Sequence, residues 1–397
     1  MLNNWPRMLL FAWDSMLNPH VATLNMSVRA VHLDQFQLWN TVEQMRNSTR
    51  KSPTTFSVCE DVQVLKTSSA SSSYSWELIR DGKSEHSATT QNCSWDFSIP
   101  EQVPYDVYLK VKVNSTVRFV SKRSVHLERR FWMAAVGDSF SSGQGNPDVP
   151  TSSEAPAKWM NESCHRSTKS FAVRAFRTRE LRHPLQSHFL TFLSCSGASV
   201  DRGILGGTSS DGQLEVVEKM AKERGSPPDV LLMTLGGNDI GFTDVVNSLH
   251  NGDSPMRGGP IDMRFFYTAH QLDLVAAKIN AIGIQKVVVV PYYDVTRNDR
   301  GEVDASCFDN ISTASMVLTE KRVWKRLNAL IANKAKQYGW TFVEGISELF
   351  RTRGICSKSS LIRTANDSMK IQGDPFGSWH PNEEAHLLIS RLVSALL

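Results

Sequence analysis

The spacing of hydrophobic positions changes character near residue 130. In Tyr105–Val113, Val107, Leu109, Val111 and Val113 alternate with Asp106, Tyr108, Lys110 and Lys112. A period of two marks a strand with one buried face. The pattern resumes over 116–127 beyond an Asn114-Ser115 turn. Residues 74–79 form a second strand signal that runs into Asp81-Gly82, a dipeptide suited to a tight hairpin. Ser/Thr clusters at 67–73 and 87–90 read as loops. These signals predict an all-β sandwich domain over 21–130 and leave 1–20 unassigned.

Beyond 131 the rhythm alternates. Short apolar runs at 133–136, 189–193, 230–235, 286–290 and 341–343 read as strands. Helical spacing occupies 170–181, 213–224, 263–282 and 315–338. Alternating strand and helix predicts an α/β domain over 131–397, a parallel sheet with helices on both faces. The last helix has the clearest stripe: Ala385, Leu388, Ile389, Leu392, Val393 and Leu396. Asn382 suits its N-cap, and Glu383 and Glu384 suit its positive end.

Composition narrows the class. Of 397 residues, 41% are hydrophobic and 21% charged, which excludes a wholly disordered chain, a collagen and a coiled coil. The formal charge of +4 does not call for a nucleic-acid partner. No apolar run reaches membrane-spanning length. Six cysteines (Cys59, Cys93, Cys164, Cys195, Cys307, Cys356) lie far apart with no CxxC pair, so disulfides are expected rather than zinc. Cys59 and Cys93 fall alone in the β region and are expected to staple it. Seven sequons, at Asn25, Asn47, Asn92, Asn114, Asn161, Asn310 and Asn366, span the chain. With the even cysteine count they predict a secreted or secretory-lumen glycoprotein. The apolar stretch at 8–13 is cut short by Asp14. It is too brief for a signal-peptide core, which leaves the true start of the chain open.

In an open α/β sheet, chemistry sits beyond the carboxyl ends of the strands. Three small, polar segments follow strand signals: Gly137-Asp-Ser-Phe-Ser-Ser-Gly-Gln-Gly-Asn146, Ser194-Cys-Ser-Gly-Ala198 and Gly236-Gly-Asn-Asp239. A fourth, Ser378-Trp-His-Pro-Asn382, precedes the final helix. Ser139 in a strand-to-helix turn suits a nucleophile near a helix N-terminus. Gly197 offers an unobstructed backbone N–H and Asn238 an amide donor, the groups an oxyanion needs. His380, with its chain direction set by Pro381, suits a base. Asp138 and Asp239 read as structural carboxylates bonding loop amides. The basic stretch Arg174, Arg177, Arg179 and Arg182 reads as a solvated helix face. The loops 146–161 and 250–260 read as lids or as plain surface connections. The glycines complete no phosphate loop, and no GxSxG elbow occurs.

The four segments together resemble the SGNH hydrolases, the GDSL esterase/lipase family, over residues 131–397. That resemblance implies a three-layer αβα, flavodoxin-like fold. It implies Ser139 as nucleophile, His380 as base, and an oxyanion hole from the N–H of Ser139, Gly197 and Asn238. Cys164-His-Arg-Ser and Cys195-Ser-Gly-Ala resemble the secreted, disulfide-bonded members. They imply the pairs Cys164–Cys195 and, with it, Cys307–Cys356. The family often places Asp three residues before the histidine, where this chain has Gly377. Some secreted relatives use a main-chain carbonyl instead. The Gly377 carbonyl is therefore the expected orienter of His380, with Asp374 as the other candidate. The β region is similar to an immunoglobulin-like sandwich, and Trp76, Asp81-Gly82 and the Tyr105 strand resemble a PKD-type domain.

The expected activity is hydrolysis of a carboxylic ester, borne by a lipid, an acylated sugar or a small alcohol, through an acyl-enzyme and without a cofactor or metal. Two alternatives stand beside it. One is acyl transfer at the same site. The other is an extracellular protein whose sandwich binds a glycan or protein partner beside a weak or idle hydrolase domain.

Overall fold

The computed structural model describes residues 26–29, 37–48, 54–59, 72–100, 102–206, 211–250 and 259–397. The segment 1–20, the sequon at Asn25, positions 67–71 and positions 251–258 lie outside them. The strands are β1 (Ser27–Arg29), β2 (Gln37–Leu38), β3 (Thr54–Ser57), β4 (Ser72–Arg80), β5 (Lys83–Thr90), β6 (Ser94–Phe97), β7 (Tyr105–Val113), β8 (Thr116–Val125), β9 (Glu128–Val136), β10 (Gln186–Phe192), β11 (Val230–Met233), β12 (Val287–Val289) and β13 (Thr341–Phe342). The helices are α1 (Val42–Ser48), α2 (Ser139–Ser142), α3 (Phe171–Arg182), α4 (Gln213–Arg224), α5 (Phe242–His250), α6 (Gly259–Ile282), α7 (Thr313–Thr319), α8 (Lys325–Tyr338), α9 (Ile346–Phe350), α10 (Ala365–Ile371) and α11 (Glu383–Ser394).

The chain divides into two compact units, one of residues 1–36, 48–130 and 183–187, the other of 37–47, 131–182 and 188–397. The first holds two antiparallel sheets, β1-β3-β6 and β5-β4-β7-β8. Along β7 the alternation is realised: Tyr105, Val107, Leu109, Val111 and Val113 are buried. Residues from both sheets share one apolar cluster, with the rings of Phe56 and Trp76 6.4 Å apart. Asp81 and Gly82 both take positive φ, as the hairpin turn between twisted strands requires. Cys59 is bonded to Cys93. Two expectations fail here: Ser72 and Ser73, the end of the cluster at 67–73, open β4 and pair with β7 rather than forming a loop. The Ser/Thr cluster at 87–90 is the end of β5, not a loop, and pairs with β4 from Tyr74 to Glu77. Hydroxyl side chains suit a solvated strand face, where Ser75 and Thr89 approach to 3.3 Å across the pair.

The second unit carries a six-stranded sheet in the order β13-β12-β11-β9-β10-β2. The pairs β2/β10, β9/β11, β11/β12 and β12/β13 run parallel. Its centre is β9, whose residues 131–136 are all buried, as a strand covered on both faces must be. The chain crosses from β9 to β10 on one side, then returns past β9 to β11, β12 and β13 on the other. That is the flavodoxin-like order, with its reversal at β9. Right-handed crossovers then force two helical layers. Helices α3 and α11 pack together in one, and α6 packs on α4 and α8 in the other. The short strand β2, followed by Trp39, which stacks on Phe189 at 3.8 Å, lies within the stretch 21–130 that the sequence assigns to the β region. Two residues are too few to show a period.

Other differences are local. The predicted helix over 315–338 is broken by a wide π turn at Glu320–Trp324. The arginine stretch on α3 is only partly solvated: Arg182 is exposed, whereas Arg174, Arg177 and Arg179 are half-buried, Arg177 pairing with Glu180 of the same helix. Arg174 pairs with Glu383 at 2.7 Å, Arg179 lies over the Phe131 ring at 3.7 Å, and Arg182 donates to the Ser394 carbonyl at 3.1 Å. These arginines pin α3 to its neighbours. Leu388, Leu392 and Leu396 are only half-buried, whereas His386 is wholly buried. Disulfides join Cys164 to Cys195 and Cys307 to Cys356. Among the described residues no helix is long and apolar enough to cross a membrane.

Candidate active site

The site is assembled where β9, β10 and β11 end. After Val136 the chain turns at Gly137, with φ of 145°. A Cβ there would lie 2.4 Å from both Ser141 Oγ and Thr234 Oγ1, so only glycine is tolerated. Asp138 then caps α2, its Oδ1 accepting the Phe140 N–H at 3.1 Å. Ser139 is the first residue of that helix. One turn has little dipole, so what it offers to negative charge is its individual N–H groups.

His380 reaches the same point from the other end of the chain. Asn382 caps α11, accepting the Ala385 N–H at 2.9 Å. Before it, Trp379 takes φ of 65°. That strained turn is held by the Tyr293 hydroxyl on the Trp379 carbonyl at 2.8 Å and by Phe308 stacked on its ring at 5.2 Å. His380 Nε2 comes to 2.8 Å from Ser139 Oγ, and Nδ1 to 2.9 Å from the Ser378 carbonyl. A carbonyl only accepts, so Nδ1 carries the hydrogen and Nε2 a lone pair.

The carbonyl bonded to Nδ1 is therefore that of Ser378, and the expected Gly377 carbonyl acts on the ring only as a weaker second influence. The Gly377 carbonyl accepts the backbone N–H of His380 at 3.4 Å. Asp374 Oδ1 caps the 3-10 turn Pro375–Gly377, accepting from Phe376 N at 2.8 Å and from Gln372 Nε2 at 2.7 Å. The turn at Trp379 folds the chain back early, so the carbonyl two residues before the ring meets it, not the one three before.

Burial sets the electrostatics. His380 is 8% exposed. Desolvation, aided by nearby His165 and opposed by the Ser378 carbonyl and more weakly by that of Gly377, pushes its pKa down to about 4. The ring is neutral at neutral pH. Burial also raises the pKa of Asp138, whose carboxyl accepts from Thr234 Oγ1 at 2.9 Å and from the Tyr292 hydroxyl.

Gly197 and Asn238 lie on adjoining loops. Gly197 takes φ of 79°, with no atom within 4 Å of where a Cβ would be. Its loop is pinned by Cys195 N on the Gly137 carbonyl at 3.0 Å and Ser196 N on the Cys164 carbonyl at 3.1 Å. Asn238 Nδ2 donates to the Ala198 carbonyl at 2.8 Å, and its second hydrogen remains for another acceptor. Asp239 Oδ1 accepts the Val200 N–H at 2.9 Å, and burial pushes that carboxyl up to about 6.

Several participants escaped the sequence reading. Ser378 is not among the orienters that the sequence suggests for His380. Tyr292 follows the apolar run of β12, and the rule that chemistry gathers at strand ends would have flagged it. Its hydroxyl donates to Asp138 and accepts the Gly237 N–H at 2.9 Å. That one hydroxyl ties the Ser139 turn to the Asn238 loop. The loop 146–161 is tethered by Thr151 N on the Ile371 carbonyl at 2.9 Å and by the bridge of Val149 with Lys158, which favours a surface connection over a lid. Asn92, Asn114, Asn310 and Asn366 are exposed, whereas Asn161 is half-buried and accepts the Cys164 N–H at 3.0 Å. Among the described residues no cluster of His, Cys, Asp and Glu is placed to hold a metal ion.

No protein-family model matches the chain. A lipase from Streptomyces rimosus is 27% identical over 228 residues, which span 56% of this chain and 72% of the relative. Among solved structures, the extracellular lipase of Streptomyces rimosus is 22% identical with a TM-score of 0.43, covering 67% of this chain and all of that one. Phospholipase A1 from Streptomyces albidoflavus is 18% identical with a TM-score of 0.42, over 68% of this chain and all of that one. A family two carbohydrate esterase from Clostridium thermocellum is 14% identical with a TM-score of 0.34, over 82% of this chain and 87% of that one.

Proposed function

We propose that this protein is a secreted, SGNH-type serine hydrolase of carboxylic esters. The observation that carries the reading is the line from Ser139 Oγ through the His380 ring to the Ser378 carbonyl, at 2.8 and 2.9 Å. The sequence likeness to a lipase supports the reaction class, and three disulfides suit an oxidising compartment.

Ser139 Oγ attacks the ester carbonyl carbon while Nε2 of His380 takes its proton. The Ser378 carbonyl steadies the imidazolium through the Nδ1 hydrogen. The carbonyl oxygen becomes an oxyanion, received by the N–H groups of Ser139 and Gly197 and the free amide hydrogen of Asn238. Collapse breaks the ester C–O bond, and His380 returns the proton to the leaving alcohol. Water then attacks the acyl-enzyme with His380 again as base, which releases the acid and restores Ser139. Fatty acyl esters are the favoured substrates, by likeness to the lipase. The smaller unit is read as an immunoglobulin-like sandwich available to a glycan or protein partner.

Ser139→Ala should fold normally, lose hydrolysis of a short-chain p-nitrophenyl ester by roughly 10³-fold or more, and lose fluorophosphonate labelling. Persistent labelling at another serine would overturn the assignment.

A further inference from the structure

Gln144 lies five residues after Ser139, where the chain leaves α2, and is only 3% exposed. Its side chain offers one acceptor oxygen and two N–H groups, and they bind three different segments. Oε1 accepts from Ser196 Oγ, and also from His165 Nδ1 at 3.2 Å. Nε2 donates to the Phe376 carbonyl at 2.8 Å. The backbone N–H of Gln144 donates to the Ser139 carbonyl at 3.2 Å.

Each contact touches the candidate machinery one step removed. Ser196 directly precedes Gly197. His165 adjoins Cys164, which is bonded to Cys195. Phe376 opens the run of four residues that leads to His380. The next two residues reinforce the same junction. Gly145 N donates to Gln372 Oε1 at 3.0 Å, and Asn146 Nδ2 donates to the Pro381 carbonyl at 2.8 Å. A buried amide with its acceptor doubly used and a donor engaged is costly to misplace. It therefore transmits position.

We propose that Gln144 is a positioning residue that sets the Gly197 N–H and the His380 ring in register with Ser139, coupling the oxyanion side of the site to the base side. Gln144 touches no reacting atom. Its effect belongs in kcat, because alignment of an oxyanion donor matters once charge develops on the carbonyl oxygen and little when substrate first binds. The inference rests on the Ser139 esterase reading.

The test uses the full chain with Gln144→Ala, Gln144→Glu, Ser196→Ala and the Gln144→Ala/Ser196→Ala double variant. Hydrolysis of a short-chain p-nitrophenyl ester, the rate of fluorophosphonate labelling and thermal unfolding are measured on each. Q144A should lower kcat and the labelling rate by roughly 10- to 100-fold and leave KM within about twofold. S196A should lower kcat less, and the double variant should be no slower than Q144A, because the one contact that S196A breaks is already lost in Q144A. Q144E keeps an acceptor for Ser196 but sets a carboxylate oxygen against the Phe376 carbonyl, so it should lower kcat as well. Values of kcat within about twofold of wild type for Q144A and S196A, or additive losses in the double variant, would overturn the inference. A misfolded Q144A leaves the decision to S196A and Q144E by the same kcat criterion. Wild-type hydrolysis that survives Ser139→Ala would instead remove the esterase reading, and this inference with it.

Discussion

At the residue scale, the unusual property of His380 is that burial holds it neutral. A histidine ordinarily titrates near 6.5, whereas this ring is pushed down to about 4. Under the esterase reading, the base is present in its working form throughout the weakly acid range. The profile of kcat/KM reports the free enzyme. It should stay flat from neutral pH to about 5 and fall only as pH approaches about 4. Steady-state hydrolysis across pH 3.5 to 8 checks this, with folding monitored in parallel. An acid limb near 6.5 would show a solvated ring.

At the element scale, the site is a set of strand-end turns tied to one another. The turn after β9 meets the Asn238 loop through Tyr292, and the Asn238 loop meets the Gly197 loop through the Ala198 carbonyl. Asp374 belongs to this scale. It caps the 3-10 turn ahead of His380 and does not face the ring. Asp374→Ala should therefore cost about 1 kcal/mol of stability, as for a lost cap, and reduce kcat by less than about tenfold. Loss of an orienting carboxylate would cost on the order of 10⁴. Parallel denaturant titration and ester hydrolysis separate the two, and a loss of about 10³ or more in a folded variant would restore Asp374 as the orienter.

At the scale of the whole molecule, a second buried histidine matters for stability. His386 accepts the Phe171 N–H at 3.1 Å and stacks on the Phe171 ring, and burial pushes its pKa down to about 3. A histidine with a depressed folded pKa binds a proton more readily when unfolded. Its stabilisation is complete above the unfolded pKa near 6.5 and is lost as pH falls toward the folded pKa. His380 and His386 should each remove about 1.4 kcal/mol per pH unit over that window. His386→Phe should flatten the slope of unfolding free energy between pH 6 and 5 by about that amount, whatever it does to stability at pH 7. An unchanged slope would mean that His386 is already protonated in the fold.

Much of the architecture was legible because it is periodic. Alternation along β7, the five apolar runs beyond 131 and the stripe on α11 are local consequences of burying one face or two. The small, polar segments holding Ser139, Gly197 and Asn238 were legible for a related reason, since in such a sheet the chemistry gathers where apolar strands stop, and His380 was legible from its place just before the cap of the last amphipathic helix. Residue type and chain position alone determined that much. Tertiary structure decided the remainder: that β2 joins the parallel sheet, that the Ser378 carbonyl rather than Gly377 or Asp374 faces Nδ1, and that Gln144 and Tyr292 bind the turns together. Ser139 and His380 are 241 residues apart in the chain, yet 2.8 Å apart in the fold. Contacts of that kind depend on how loops close over a finished core. A single φ, such as that of Trp379, selects among neighbouring carbonyls, and no local pattern of hydrophobic and polar residues encodes the choice.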